Sequence, residues 1–372
     1  MALASALYGT RADRLAERLL RGYVPLILGY HRVVEDDGNG GNSLPGMRVS
    51  RQMLERHLDW LGRRFRFISL DELGAQMEGG EGFSEPVVAV TFDDGYSDVY
   101  HNAFPLLKRK GIPAAVFVVT GLVGSSSVPF FDRLYLLIAG AYSKWDSGGE
   151  GLGRLLLDLG IQMPGAENGS RTSLKHPYLA TGLLLDTLPQ EQLFRVMGAL
   201  ETHIKIETEA LESLYPVTWE MLSEMHQAGI TIGSHTQSHA LLTNENFQKV
   251  LDETMLSRQD LERRLRTDVK HFAYPRGCFN PLVLSAVAAA GYEFGYTTCR
   301  HRDATYPLLT LPRKVLWENS CLDAFGRFSS SIMSCQVRQA FNWLDRCKQN
   351  HGRPWPPRLD LGETALVESK RG

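Results

Sequence analysis

The stretch that most constrains this chain is residues 87–95, Val-Val-Ala-Val-Thr-Phe-Asp-Asp-Gly. An unbroken apolar, β-branched run of this length reads as a strand buried on both faces, the pattern of a parallel sheet. The run ends on Asp93 and Asp94, followed by Gly95. Barrel and open α/β folds place their chemistry at this edge, the C-terminal end of buried strands. Two neighbouring carboxylates repel each other, so the pair calls for a cation nearby. The plainer reading is an Asx-type turn with Gly95 at positive φ.

The segments around this strand repeat its rhythm. Residues 24–31 form the first strand candidate and end on His31. Ser50 is placed to cap a helix carrying Met53, Leu54, Leu58 and Leu61. A short strand over 65–70 and a short helix over 69–77 follow. An amphipathic helix over 97–110 stops at Gly111, and a buried strand over 113–119 completes a βαβ unit with parallel pairing. Further strands are predicted over 230–235, 269–274, 294–298 and 308–316. A helix over 217–227 precedes the first of these, and helices over 247–266 and from Pro281 to Gly291 separate the first three. On the 247–266 helix, Val250, Met255, Leu261 and Leu265 make the apolar side, and Glu253, Arg258 and Glu262 lie on a solvated face. Between 122 and 215 the rhythm changes to helical patterns at 131–138, 189–200 and 207–214, with a loop-like run over 162–172. This region reads as a helical insertion, either a lid or recognition cap or a lateral decoration. The catalytic domain is set at 1–330, insertion included, and 331–372 is read as a C-terminal helix and flexible tail.

A chain of 372 residues suits one large α/β domain or two smaller ones. A net charge of -2 and a pI of about 6.6 argue against nucleic acid as a partner. No run has the length of a transmembrane helix. Cys278, Cys299, Cys321, Cys335 and Cys347 are odd in number and lack CxxC spacing. Reduced thiols are expected, with neither a disulfide framework nor a thiol-metal site. Arg11, Arg14, Arg18 and Arg21 interrupt the N-terminal Ala and Leu residues, so no signal-peptide core forms. An amphipathic helix is predicted there, packed on the domain or in peripheral contact with a membrane. The expected location is the cytoplasm, or the inner face of the membrane.

The sequence His235-Thr236-Gln237-Ser238-His239 follows a strand. Two histidines four apart share a face if the segment is helical, and this spacing suits one metal ion. Asp94 completes two imidazoles and a carboxylate with an open position. Zn²⁺ is the default divalent ion, and Fe²⁺ and others accept the same set. Asp93 is then free to take a proton from water activated by the ion. Amide hydrolysis also needs an acid, because an amine anion leaves poorly. His31 is placed for that role by topology; the alternative is a hydrogen-bonded core imidazole. Asp132 and Arg133 are read as intrahelical or surface residues, Tyr96 and Ser97 as capping or packing, and His101 and His226 as helical residues outside the site.

Thr91-Phe92-Asp93-Asp94-Gly95 followed by His235-Thr236-Gln237-Ser238-His239 resembles the polysaccharide deacetylase family, the carbohydrate esterases that share the nodulation-factor deacetylase domain. The resemblance runs from about residue 26 to 316, with the 122–215 insertion outside it. It implies a distorted (β/α) barrel of about seven strands, Asp93 as base, and Asp94, His235 and His239 as metal ligands. Ala273-Tyr274-Pro275-Arg276-Gly277 falls where the family often has Arg-Pro-Pro-Tyr-Gly. This implies that Tyr274, Pro275 and Arg276 border the oxyanion, which the Arg276 N–H helps to hold. Ala273 stands where the family has its base-orienting Arg, and Arg313 on a late strand is expected to supply that guanidinium. In place of a late Leu-x-His there is Tyr30-His31-Arg32-Val33. That is similar to the circularly shifted layout of poly-N-acetylglucosamine deacetylases, whose acid comes from an N-terminal Tyr-His. The implied activity is metal-dependent removal of N-acetyl groups from an amino-sugar glycan or glycan precursor, with release of acetate. Hydrolysis of another C–N bond, in a polyamine amide or cyclic ureide, and a non-catalytic metal-containing carbohydrate-binding protein stay open as alternatives.

Overall fold

In the computed structural model, residues 23–36, 44–80, 82–145, 148–162 and 174–338 are described, together with 347, 349 and 351. The predicted N-terminal amphipathic helix, most of the 162–172 run and most of the tail lie outside the described residues. The strands are β1 (Leu26–Tyr30), β2 (Arg32–Val34), β3 (Arg48–Ser50), β4 (Arg66–Phe67), β5 (Val87–Phe92), β6 (Ala114–Val118), β7 (Thr231–Ser234), β8 (His271–Ala273), β9 (Phe294–Thr297), β10 (Leu311–Pro312) and β11 (Lys314–Val315). As the apolar runs require, β1, β5 and β6 are buried along their whole length.

The main sheet runs β10-β9-β8-β7-β6-β5-β1-β11, with β4 alongside β5, and its pairs are parallel. Its two ends are halves of one strand interrupted at Arg313. Leu311 pairs with Tyr296 on β9, and Val315 pairs with Gly29 on β1. The ring therefore closes, and β1, β5, β6, β7, β8, β9 and the split strand make the expected barrel of about seven strands in chain order.

Local chemistry sets the helix starts. Ser50, Ser69, Thr218 and Asn246 each accept a backbone N–H with the side chain, and Pro281 opens the helix Pro281–Ala289. The segment predicted as a helix over 97–110 starts differently, with a π-type turn at Val99–Ala103 before the α-helix Phe104–Lys110. The face of the helix Phe247–Leu265 also departs from the prediction. Met255 is exposed and Glu253 is fully buried, because Glu253 accepts from Ser238 N at 2.8 Å and Ser238 Oγ at 2.5 Å. That tie turns the carboxylate inward.

Between β6 and β7 stand the helices Phe130–Lys144, Gly148–Asp158, Pro177–Thr187, Gln190–Glu201 and Thr208–Glu212. They share a core that includes Leu134, Ile138, Leu152, Leu184, Val196 and Leu200. The helix Gly148–Asp158 was not predicted, since its glycines read as loop. Packing explains them: a Cβ on Gly151 would lie 2.5 Å from the Trp145 ring. The helix Pro177–Thr187 was missed as well. No described helix is long and apolar enough to cross a membrane.

At the N-terminal end of the barrel, His271 of β8 reaches Asp71 through Nε2 at 3.1 Å and the Tyr296 hydroxyl through Nδ1 at 3.0 Å. Thr231 donates to the other Asp71 oxygen at 2.9 Å. This end is a closed polar network.

Candidate active site

At the opposite end, the turn after β5 separates the two carboxylates. Asp94 and Gly95 both take positive φ, 71° and 72°. A Cβ on Gly95 would come within 2.9 Å of Val118, so the turn requires glycine. The strained φ at Asp94 is of the kind that collects at functional sites.

Asp94 faces the two histidines. Its Oδ1 lies 3.4 Å from Nε2 of His235 and 3.4 Å from Nε2 of His239. His235 Nδ1 sits 2.8 Å from the Ala273 carbonyl. A carbonyl only accepts, so Nδ1 carries a proton and Nε2 is the ring atom turned to Asp94. Among the described residues neither Asp94 oxygen has a hydrogen-bond partner, although both are buried. Two imidazole nitrogens and a carboxylate thus converge, a donor set that fits a divalent cation. Burial pushes His239 down to about 3 against the opposing charge of Asp94. Burial would raise Asp94, but the neighbouring His235, His239 and His31 hold it well below its ordinary value, and His235, which burial would lower, is raised by Asp94 and Asp93. A divalent ion there would be held by the imidazoles in their neutral form and by Asp94 ionised.

The two histidines meet without a helix. Residues 235–239 form a loop in which Thr236 and His239 have φ of 69° and 61°, and His239 N donates to Thr236 Oγ1 at 2.9 Å. The buried Glu253 holds this loop through Ser238. Its carboxylate is a supporting group that helical periodicity had assigned to solvent.

Asp93 faces Arg313. The guanidinium grips it in a fork, Nη1 to Oδ1 at 2.7 Å and Nη2 to Oδ2 at 2.6 Å, and both side chains are buried. Nη1 also donates to Thr91 Oγ1 at 2.9 Å. Burial alone would raise Asp93, but the Arg313 charge, with His235 and His31, holds it below the usual carboxylate value. Arg313 thus stands on Asp93, the partner expected for it once Ala273 replaced the family Arg.

His31 follows β1 and lines the same cavity of about 290 Å³ as Asp93, Asp94, His235 and His239. Its Nδ1 is buried without a hydrogen-bond partner among the described residues, unlike a satisfied core imidazole. The next residue anchors it: Arg32 Nε pairs with Asp98 at 2.8 Å. Tyr274, Pro275 and Arg276 divide. Tyr274 is buried and its hydroxyl donates to the Leu309 carbonyl at 2.9 Å. Pro275 is buried. Arg276 takes φ 56° and its N–H meets no acceptor among the described residues. Its guanidinium is held by Asp186 at 2.7 Å.

Asp186 belongs to the insertion, and Phe130, Phe131, Leu185 and Leu193 from the same region also line the cavity. Phe131 packs on the His239 ring at 4.4 Å between centroids. The insertion is therefore a wall of the site. Asp132, expected within its helix or at the surface, is fully buried and accepts from the Tyr96 hydroxyl at 2.5 Å. Burial pushes it up to about 7. The helix docks onto the turn beyond Asp94, and its own sequence carries no sign of that contact.

The sequence profile of the polysaccharide deacetylase family matches residues 80–146 and 177–295, half of the chain. The match enters the 122–215 region and breaks only between 147 and 176, so the family likeness extends further into the insertion than its sequence indicated. The chain is 24% identical over 273 residues to YxkH of Bacillus subtilis, whose name places it in the same family; that match covers 73% of this chain and 63% of YxkH. It is 33% identical over 121 residues to the poly-β-1,6-N-acetyl-D-glucosamine N-deacetylase of Staphylococcus epidermidis, covering 30% of this chain and 40% of the relative. The chain thus spans less than two thirds of the length of these curated relatives. Among solved structures, the deacetylase PplD of Streptococcus pyogenes, in complex with acetate, superposes with a TM-score of 0.52 at 19% identity, over 85% of this chain and 99% of PplD. A polysaccharide deacetylase of Bacillus cereus gives 0.50 at 15% identity, over 84% of this chain and 68% of that one. These two likenesses are of fold.

Proposed function

Because the chain belongs to the polysaccharide deacetylase family, we propose that it is a metal-dependent hydrolase that removes N-acetyl groups from an amino-sugar glycan or glycan precursor and releases acetate. The observation that carries this reading is the pairing of two differently prepared carboxylates: Asp94 unsatisfied against two histidines, and Asp93 locked to Arg313. Asp94, His235 and His239 would hold the ion, and two imidazoles with one carboxylate favour Zn²⁺. Such an ion supplies a Lewis acid and lowers the pKa of water from about 15.7 toward 7.

The remaining steps belong to the chain. Asp93, kept ionised by Arg313, takes a proton from the attacking water. The Arg276 N–H donates to the oxygen that gains charge as the carbonyl is attacked. His31 gives a proton to the departing amine, so that one water and one amide become acetate and a free amino sugar. Asp186 fixes Arg276, and the insertion walls shape the pocket for the sugar. The names of the relatives point to β-1,6-linked N-acetylglucosamine as the first substrate to try.

The test is metal content together with acetate release from N-acetylglucosamine oligomers, for the wild type and His235→Ala. Metal and acetate in the wild type, both lost at this site in the variant, is the expected result. Metal without acetate overturns the substrate assignment. Acetylated polyamines and cyclic ureides are then assayed, and sugar binding with no turnover on any of them marks a carbohydrate-binding protein.

A further inference from the structure

Among the described residues a second group of metal-type donors comes together, separate from Asp94, His235 and His239. Cys299 follows β9, and Cys347 and His351 arrive from the far end of the chain. The two Sγ atoms are 2.9 Å apart, and His351 Nε2 is 3.2 Å from each of them. The imidazole is held in place, stacked on His301 with centroids 4.3 Å apart and packed on Phe279 at 4.4 Å. Gln349, between the two tail ligands, donates to the Gly277 carbonyl at 3.0 Å and accepts from Phe279 N at 3.2 Å. The tail is thus strapped to the loop that carries Arg276.

We propose that Cys299, Cys347 and His351 form a structural metal site of the zinc class, and that the ion fastens the C-terminal segment to the loop walling the active site. A nitrogen equidistant from two sulfurs has no part in a disulfide, but it is the third ligand of a thiolate-imidazole site. Tetrahedral coordination with Zn–S near 2.3 Å separates two sulfurs by about 3.8 Å, so seating the ion opens the triangle by under about 1 Å. Cys347 is on the exposed side and free to make that shift. Binding then releases one proton from each thiol to solvent, and water takes the fourth position. The scattered cysteines hid this site, because its ligands come from two distant segments and include a histidine.

The experiment loads the full chain, after chelation, with Zn²⁺ for counting and with Co²⁺ for spectroscopy. The expected result is two ions per chain and a near-ultraviolet sulfur-to-cobalt charge-transfer band, since Asp94, His235 and His239 offer no sulfur. Cys347→Ser should remove the band and one ion while keeping the other ion and acetate release; His351→Ala serves if that variant does not fold. Asp94→Asn should remove the other ion and keep the band. Absence of the band at saturating Co²⁺, its survival in Cys347→Ser, or a Cys299–Cys347 disulfide released by reductant alone in the purified protein overturns the proposal. A chain with the band and no acetate release would defeat the deacetylase reading and leave the clasp standing.

Discussion

At one end of the barrel His271 meets Asp71, and the two share Tyr296 and Thr231 so that both ring nitrogens and both carboxylate oxygens have partners. At the other end His235 and His239 meet Asp94 across 3.4 Å, and both carboxylate oxygens are left without a hydrogen bond. The residue types are the same. A satisfied His–Asp pair fixes a fold, whereas a buried unsatisfied one stores an attraction for something else. Of the five described non-glycine residues at positive φ, Asp94, Thr236, His239 and Arg276 lie on loops at the open end, and Arg266 ends the helix that leads into β8.

The sharpest way to break this comparison is Asp93→Asn. It should cut turnover by about 10²–10⁴ with metal content unchanged, because only the proton acceptor is lost. Intact turnover in the metal-loaded variant would remove Asp93 as the base. Next in size is Arg313→Lys, which replaces a bidentate fork with a point charge. Loss of such a supporting contact costs about 10- to 100-fold. The sign on pH is fixed: Arg313 depresses Asp93, so weakening the fork raises its pKa, and the acidic limb of the pH–rate profile should move to higher pH.

At the closed end, His271→Ala should lower stability by about 1–3 kcal/mol, since it leaves the buried Tyr296 hydroxyl unpaired. Its turnover per folded molecule should match the wild type in a denaturation and rate measurement done side by side. A selective loss of turnover would blur the two ends. The smallest effect is in acid. The His271 hydrogen bond lowers Asp71 from 3.8 to about 2, so its stabilisation is complete above 3.8 and is lost as pH falls toward 2. Asp71→Asn should flatten the melting temperature over that interval, and only slightly, because the Asp71 side chain is largely exposed.

What was legible in the sequence follows the same physics. The runs that became β1 and β5 are buried on both faces, so their composition is nearly all apolar and their polar ends stand out. That contrast exposed His31, Asp93, Asp94 and the two histidines after β7. Arg313 was legible through Ala273, a missing charge that needed a substitute. Asp132 and Glu253 were not, because helical spacing shows which residues share a face and not what docks there. The glycines of Gly148–Asp158 disguised a helix whose small residues serve a close approach to Trp145. The Cys299 cluster was invisible because its partners lie 48 and 52 residues away along the chain.

Arg313 is also the residue at which the split strand leaves β9 and takes up β1. On the ribosome it emerges after His31, Asp93, Asp94, His235, His239 and Arg276. Until it does, Asp93 has no counter-charge, and a lone carboxylate resists leaving water. The contact that joins the first strand to the last is therefore also the one that gives Asp93 its counter-charge.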